Sequence, residues 1–173
     1  KKINYVHNVV NNAAMANTKF FTNVSDKEFI DLVNVNLRAT YKISQIFSKK
    51  MIKKKIKGTI ISISSQLGHV GAYNRTLYCL SKFGLEGMTK SMALDLAKYG
   101  IRAITVAPTK TLVRPFEQKK TPSRLNLIRK KIPLNKFSTK SEIASIVFFL
   151  TTSAAKSITG TSIISDGGWT AGK

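Results

Sequence analysis

Two short apolar runs with a long helical pattern between them constrain this chain more than any other feature. Thr59-Ile60-Ile61-Ser62-Ile63 is β-branched and too short for a helix, so it reads as a buried strand. Ile101 to Val106 reads the same way. From about Asn74 to Tyr99, Leu85, Met88, Ser91, Met92 and Leu96 recur at helical spacing, and Gly100 supplies a stop. The loop from Ser64 to Thr76 joins the first run to that helix. Near the start of the helix stands Tyr78-Cys79-Leu80-Ser81-Lys82. Tyr78 and Lys82 are four apart, so one helical face carries both.

An unperturbed phenol, with a pKa of about 10, exchanges protons poorly near neutral pH. An ammonium one turn away stabilises the phenolate and is expected to bring Tyr78 into the range of general acid/base catalysis. With five Tyr and 23 Lys in 173 residues, an isolated pair would be a packed tyrosine beside a solvated lysine. The context adds more. A strand ending in Ser64-Ser65 lies 13 residues before Tyr78, and another strand follows the helix. The order strand, Ser-Ser, Tyr-x-x-Ser-Lys, helix, strand resembles the short-chain dehydrogenase/reductase family over nearly the whole chain.

That resemblance implies an α/β fold, a Rossmann-type doubly wound parallel sheet, and NAD or NADP as cofactor. It implies a catalytic set of Asn36, Ser65, Tyr78 and Lys82. Tyr78 would pass the proton and Lys82 would lower its pKa and bind ribose hydroxyls. Ser65 would hold the substrate oxygen, and Asn36 would hold a water that joins Lys82 to solvent, with Asn34 as the neighbour it could be confused with. Asn11-Asn12-Ala13-Ala14 stands where the family usually reads Asn-Asn-Ala-Gly beside the adenosine half of the cofactor. Ala14 in the glycine's place costs energy if the backbone there needs a positive φ. Ala107-Pro108-Thr109 replaces the usual Asn-Pro-Gly, Thr111 would present its backbone to the carboxamide, and Val113 lacks the hydroxyl many members place there. The expected cofactor contacts are therefore Asn12, Ala13, Ala14, Tyr78, Lys82, Pro108, Thr109 and Thr111.

The remaining elements follow from pattern. Val6 to Val10 reads as a buried strand ending in an asparagine turn, and His7 as an ordinary strand residue. Ser25 with Glu28 is a capping box, opening one amphipathic helix to about Met51. Gly68-His69-Val70-Gly71 reads as a flexible wall, with His69 in that wall. Gly84, Gly87 and Ala93 would let another helix approach closely. From Arg114 to Phe137 the chain is basic and punctuated by Pro115, Pro122 and Pro133. It reads as a substrate lid with a short helix near Ser123 to Lys131. A helix capped at Ser138-Thr139 runs to about Leu150, and Thr161 to Ser165 is the last strand before Asp166-Gly167-Gly168-Trp169.

None of the ten glycines forms the family's Gly-x-x-x-Gly-x-Gly turn, which grips the pyrophosphate after the first strand. The expectation is one domain over 1–173, the C-terminal two-thirds of the fold with its first βαβ units missing and a strand edge exposed.

The net charge of +21 invites a nucleic-acid reading. The basic residues are spread along the chain, however, and no aromatics interleave with the densest cluster, Lys49 to Lys57, to stack bases. No nucleic-acid partner is expected, and an acidic carrier protein fits the charge better. Apolar runs are far shorter than the ~20 residues of a membrane span, so no membrane association is expected. His7 and His69 lack metal-ligand spacing, so no metal is expected. Cys79 is the single cysteine, which excludes an internal disulfide and fits a reducing, cytoplasmic compartment. The resemblance further implies a homodimer or homotetramer that interconverts a secondary alcohol and a ketone on a small-molecule substrate. Sugar acids and polyols are suggested by Pro108-Thr109 and by the Gly167-Gly168-Trp169-Thr170-Ala171 tail. A 3-oxoacyl-ACP reductase acting on a carrier-bound substrate is the alternative, and a non-catalytic remnant or interaction subunit is another.

Overall fold

A computed structural model describes residues 5–111 and 122–172, without the side chains of 122–124. In chain order come strand β1 (Asn8–Asn11), helix α1 (Asp26–Val33), a π-helical turn (Asn34–Ala39) and helix α2 (Thr40–Lys53). Strand β2 (Thr59–Ile63), helix α3 (Thr76–Ala97) and strand β3 (Arg102–Pro108) follow. Helices α4 (Pro122–Lys130) and α5 (Lys140–Thr151) lead into strand β4 (Ser162–Ser165). The four strands form one sheet in the order β1-β2-β3-β4, every neighbour parallel. Each crossover is helical, as parallel pairing requires.

Alternation along β2 divides the core between the two faces of the sheet. Ile60 packs with Val9, Met51, Leu96 and Ile101 under α2 and α3, whereas Ile61 packs with Ile104, Val106 and Leu150 under α5. On the α3 side β3 presents only Ala103, Thr105 and Ala107, all fully buried, so α3 lies close to the sheet. Both expected caps are present: Ser25 with Glu28 opens α1, and Thr139 with Glu142 opens α5. Arg102 donates to Leu150 O at 2.6 Å, Thr59 Oγ1 at 2.8 Å and Ile158 O at 3.1 Å. It thus fixes the C-terminal end of α5, where a cation is favoured.

The structure departs from the sequence reading in several places. The first strand begins at Asn8 rather than Val6, and Val10 is half exposed. The helix expected in one piece from Ser25 to Met51 contains the π-helical turn at Asn34–Ala39. Gly84 faces Leu37 of the π-helical turn, so another helix of the same chain does approach there, whereas Ala93 faces Gly160. Gly87 alone opens onto free space. The short helix expected in the lid is present as α4, while Val113 and the start of that lid lie outside the described residues. Among the described residues, no helix is long and apolar enough to cross a membrane, and no group of three His, Cys, Asp or Glu could hold a metal ion.

Gly58 shows how tightly the turn before β2 is held. A Cβ there would stand 2.6 Å from the Met51 sulfur and 2.7 Å from His7 O. The thioether can swing aside, but the carbonyl cannot, because it accepts the Thr59 N–H at 2.8 Å. Gly58→Ala is expected to lower stability by about 2 kcal/mol in urea denaturation. An unchanged midpoint would mean that the turn can relax.

Candidate active site

The site is built where β2 ends against the first turns of α3. Lys82 is 2% exposed, and its ammonium donates to Ile63 O, the last carbonyl of β2, at 2.9 Å. The same Nζ stands 5.6 Å from the centre of the Tyr78 ring. Ser65 stands close enough to the Tyr78 phenol to draw its pKa down. Its hydroxyl also donates to Gln66 Oε1 at 3.0 Å and accepts the Leu67 N–H at 3.1 Å. The three groups expected to act together are therefore in one place.

Asn36 is 1% exposed in the π-helical turn, whereas Asn34 bonds only Arg38 at the surface. The Asn36 amide donates to Met15 O at 2.9 Å and Ser81 Oγ at 3.0 Å and accepts the Met15 N–H at 2.7 Å. Ser81 Oγ in turn donates to Tyr78 O at 2.8 Å. Asn36 thus ties the segment after β1 to the turn that carries Tyr78. A π-turn at such a position is where functional residues tend to sit. Neither Ser81 nor Met15 was foreseen from sequence, since nothing in a one-dimensional pattern marks partners 45 and 21 residues away.

The electrostatics correct one expectation. Burial holds the Tyr78 phenol above its ordinary value of 10, against smaller downward pulls from the Ser65 hydrogen bond and the Arg75 guanidinium. The net direction is opposite to the expected acidification. Burial instead pushes the Lys82 ammonium down to about 8, opposed by the Glu86 carboxylate. In this site desolvation outweighs the charge pair. Arg75, missed in the sequence, lies 6.0 Å from the Tyr78 ring centre, anchored by Asn17 O at 2.7 Å.

A cavity of about 690 Å³ opens beside these groups, lined by Asn12, Ala14, Ser64, Tyr78, Lys82, Pro108 and Thr111 among others. Its size suits a small organic ligand. Lys82 spends one of its three N–H donors on Ile63, and among the described residues the buried Ser64 hydroxyl has no partner. These groups fit the ribose and ring of a nicotinamide cofactor, while no glycine-rich pyrophosphate turn is among the residues. Of the expected contacts, Ala13 is exposed outside the lining. Thr109 is buried behind it, its N–H given to Ser165 O at 3.1 Å and its hydroxyl unpartnered. Ala14 is not in the left-handed region, so the loss of glycine there costs no strain. The wall expected to be flexible is pinned at Gly68, whose Cβ would stand 3.1 Å from Lys82 O.

The displaced Lys82 pKa has a consequence for folding. Between about 8 and 10.5 the unfolded chain holds a proton that the folded chain has released, so stability rises with pH across that window. Tyr78 acts oppositely above 10, where the folded chain keeps the proton longer. Urea titrations from pH 8 upward are expected to show a climb that is smaller in Lys82→Met. Equal slopes in the two proteins would remove Lys82 as the cause.

A family model described as Enoyl-(Acyl carrier protein) reductase matches residues 1–170. L-xylulose reductase of Cavia porcellus is 34% identical over 165 residues, which is 94% of this chain and 67% of the relative. The 3-oxoacyl-acyl-carrier-protein reductase FabG of Buchnera aphidicola is 35% identical over 171 residues, 97% of this chain and 68% of the relative. The solved structure of 4-hydroxyisoleucine dehydrogenase complexed with NADH superposes with a TM-score of 0.91 at 30% identity, covering 96% of this chain and 69% of that one. With the Ser65, Tyr78 and Lys82 cluster at the end of a parallel sheet, these likenesses place the chain in the short-chain dehydrogenase/reductase family of nicotinamide-dependent oxidoreductases.

Proposed function

We propose that this chain carries the proton-transfer site of an NAD(P)-dependent oxidoreductase that interconverts a ketone and a secondary alcohol on a small hydroxylated compound of the polyol or sugar-acid kind. The observation that carries this reading is the meeting of Tyr78 and Lys82 at the cavity, with Ser65 beside the phenol just outside the lining. A nicotinamide bound there would give or take the hydride.

The chain's own residues account for the proton. Because burial keeps Tyr78 a neutral phenol at neutral pH, it is in the form that donates to a ketone oxygen as negative charge develops. Ser65 orients that oxygen through its hydroxyl, a neutral donor placed where the charge appears. Lys82 keeps a positive charge beside the phenol below about pH 8, which favours the tyrosinate left after donation. Its free N–H donors face the cavity that the cofactor's ribose would occupy. Asn36 holds the Tyr78 turn through Ser81 and, in this reading, completes the proton path to solvent. Asn12, Ala14, Pro108 and Thr111 frame the cofactor side, with Thr109 behind them and Ala13 outside.

The polyol reading is supported by the likeness to L-xylulose reductases. The Buchnera relative at 35% identity favours a second reading, a 3-oxoacyl-ACP reductase, with which the basic surface agrees.

The test is reduction of a ketose and of an acetoacetyl thioester, followed by loss of reduced nicotinamide. Turnover of the ketose alone supports the polyol reading, and turnover of the thioester alone replaces it with the carrier-protein one. Tyr78→Phe is expected to lower kcat/KM at least about a hundredfold with an unchanged melting curve. Retained activity would remove Tyr78 from the mechanism, and no turnover of any carbonyl would favour the non-catalytic reading.

A further inference from the structure

One helical turn beyond Lys82 stands Glu86, 7% exposed, on the side of α3 that faces the sheet. Three side chains from three other elements meet its carboxylate. Thr105 of β3 donates to Oε2 at 2.7 Å, and Ser162 of β4 donates to Oε1 at 3.4 Å. His69, in the loop after β2, places Nε2 3.3 Å from Oε1 and 3.1 Å from the Ser162 hydroxyl. The loop is pressed onto this turn at Gly68, whose missing Cβ would stand 3.2 Å from Glu86 Cγ and 3.1 Å from Lys82 O.

We propose that Glu86 is a positioning residue: gripped by Thr105, Ser162 and His69, it holds a fixed negative charge behind Lys82 and ties the Ser65 to Val70 loop to the helical turn that carries the ammonium. The consequence for turnover rests on the reading of Lys82 as an active-site group; the charge relation rests on the one-turn spacing of two buried groups on α3 and on the upward pull of Glu86 on Lys82. The titratable and charged groups around the Lys82 ammonium are Tyr78 and Glu86 on α3, Arg75 at its start, and Lys140 of α5 on the cavity wall. Among the described residues, Glu86 is the one carboxylate in that set. It raises the Lys82 pKa against the burial that brings it down to about 8. Without Glu86 the amine would lose its proton nearer neutrality, just where the charge is needed. His69 faces Glu86 from the far side, so the imidazole braces the carboxylate without touching the ammonium.

The discriminating experiment is 13C NMR of the chain labelled at lysine Cε, with the Lys82 signal identified by its loss in Lys82→Met. Glu86→Gln keeps the shape and still accepts from Thr105, but removes the charge. The Lys82 midpoint is expected to fall by about one unit. In a protein that turns over substrate, the alkaline limb of kcat/KM moves to lower pH by the same amount. A Lys82 midpoint unmoved in folded Glu86→Gln overturns the proposal, because a merely structural carboxylate would change stability alone. Should that variant not fold, Glu86→Asp answers: drawing the carboxylate back by one methylene is expected to lower the Lys82 midpoint, and an unmoved midpoint in that variant overturns the proposal. His69→Gln is expected to speed amide exchange from Ser65 to Val70 about tenfold with the Lys82 midpoint unchanged. Unaltered exchange overturns the link to the loop. An inactive chain that shows these shifts would refute the catalytic reading and leave the charge relation standing.

Discussion

The structure depends on how a single ammonium is buried. Lys82 is among the largest fully buried side chains of the protein, and its strongest fixed contact is the Ile63 carbonyl at 2.9 Å. Taking a charge out of water is costly unless polar partners replace the solvent. Here they are the last carbonyl of β2, which the parallel sheet leaves free at the strand's end, and the Glu86 carboxylate one helical turn further on. The register of α3 against β2 is therefore set by a polar requirement as much as by packing. Tyr78, one turn earlier, inherits its position from that register.

Close approach makes the arrangement possible. The sheet face under α3 is made of Ala103, Thr105 and Ala107, whose small side chains let the helix settle onto the strands. Gly68 removes the one Cβ that would separate the loop after β2 from the Lys82 turn, and Gly84 does the same against Leu37. Asn36 joins the third side of the site, since its amide spans the segment after β1 and the start of α3. A π-helical turn at that point rotates the helix locally, and the buried amide there meets the Met15 backbone and the Ser81 hydroxyl rather than solvent.

Much of this was legible in the chain itself. The apolar runs of β2 and β3, the periodicity of α3 and the two capping boxes predicted elements that the structure contains within one to three residues. Tyr78, Lys82 and Ser65 were identified by their order and spacing, and they converge. The errors have physical causes. The expectation that Lys82 would acidify Tyr78 weighed the charge pair and omitted desolvation, which acts on both groups and wins. Ala93 reads as a seat for another helix because a small residue looks the same in sequence whether it faces a helix or, as here, Gly160. Glu86 and Arg75 carried no signal: a lone acid or base on a helix reads as solvated until the neighbouring elements are known.

The sequence by itself determined the alternation of strands and helices, the family resemblance and the identity of the candidate hydroxyls, because these depend on residue type and on spacings of a few residues. Only the tertiary structure decided which charges are dry, and through that the direction in which Tyr78 and Lys82 titrate. It also decided that Glu86, Thr105, Ser162 and His69 form one cluster. Those facts arise from groups 17 to 93 residues apart along the chain brought within hydrogen-bonding reach, and no local pattern encodes the desolvation that such an encounter imposes.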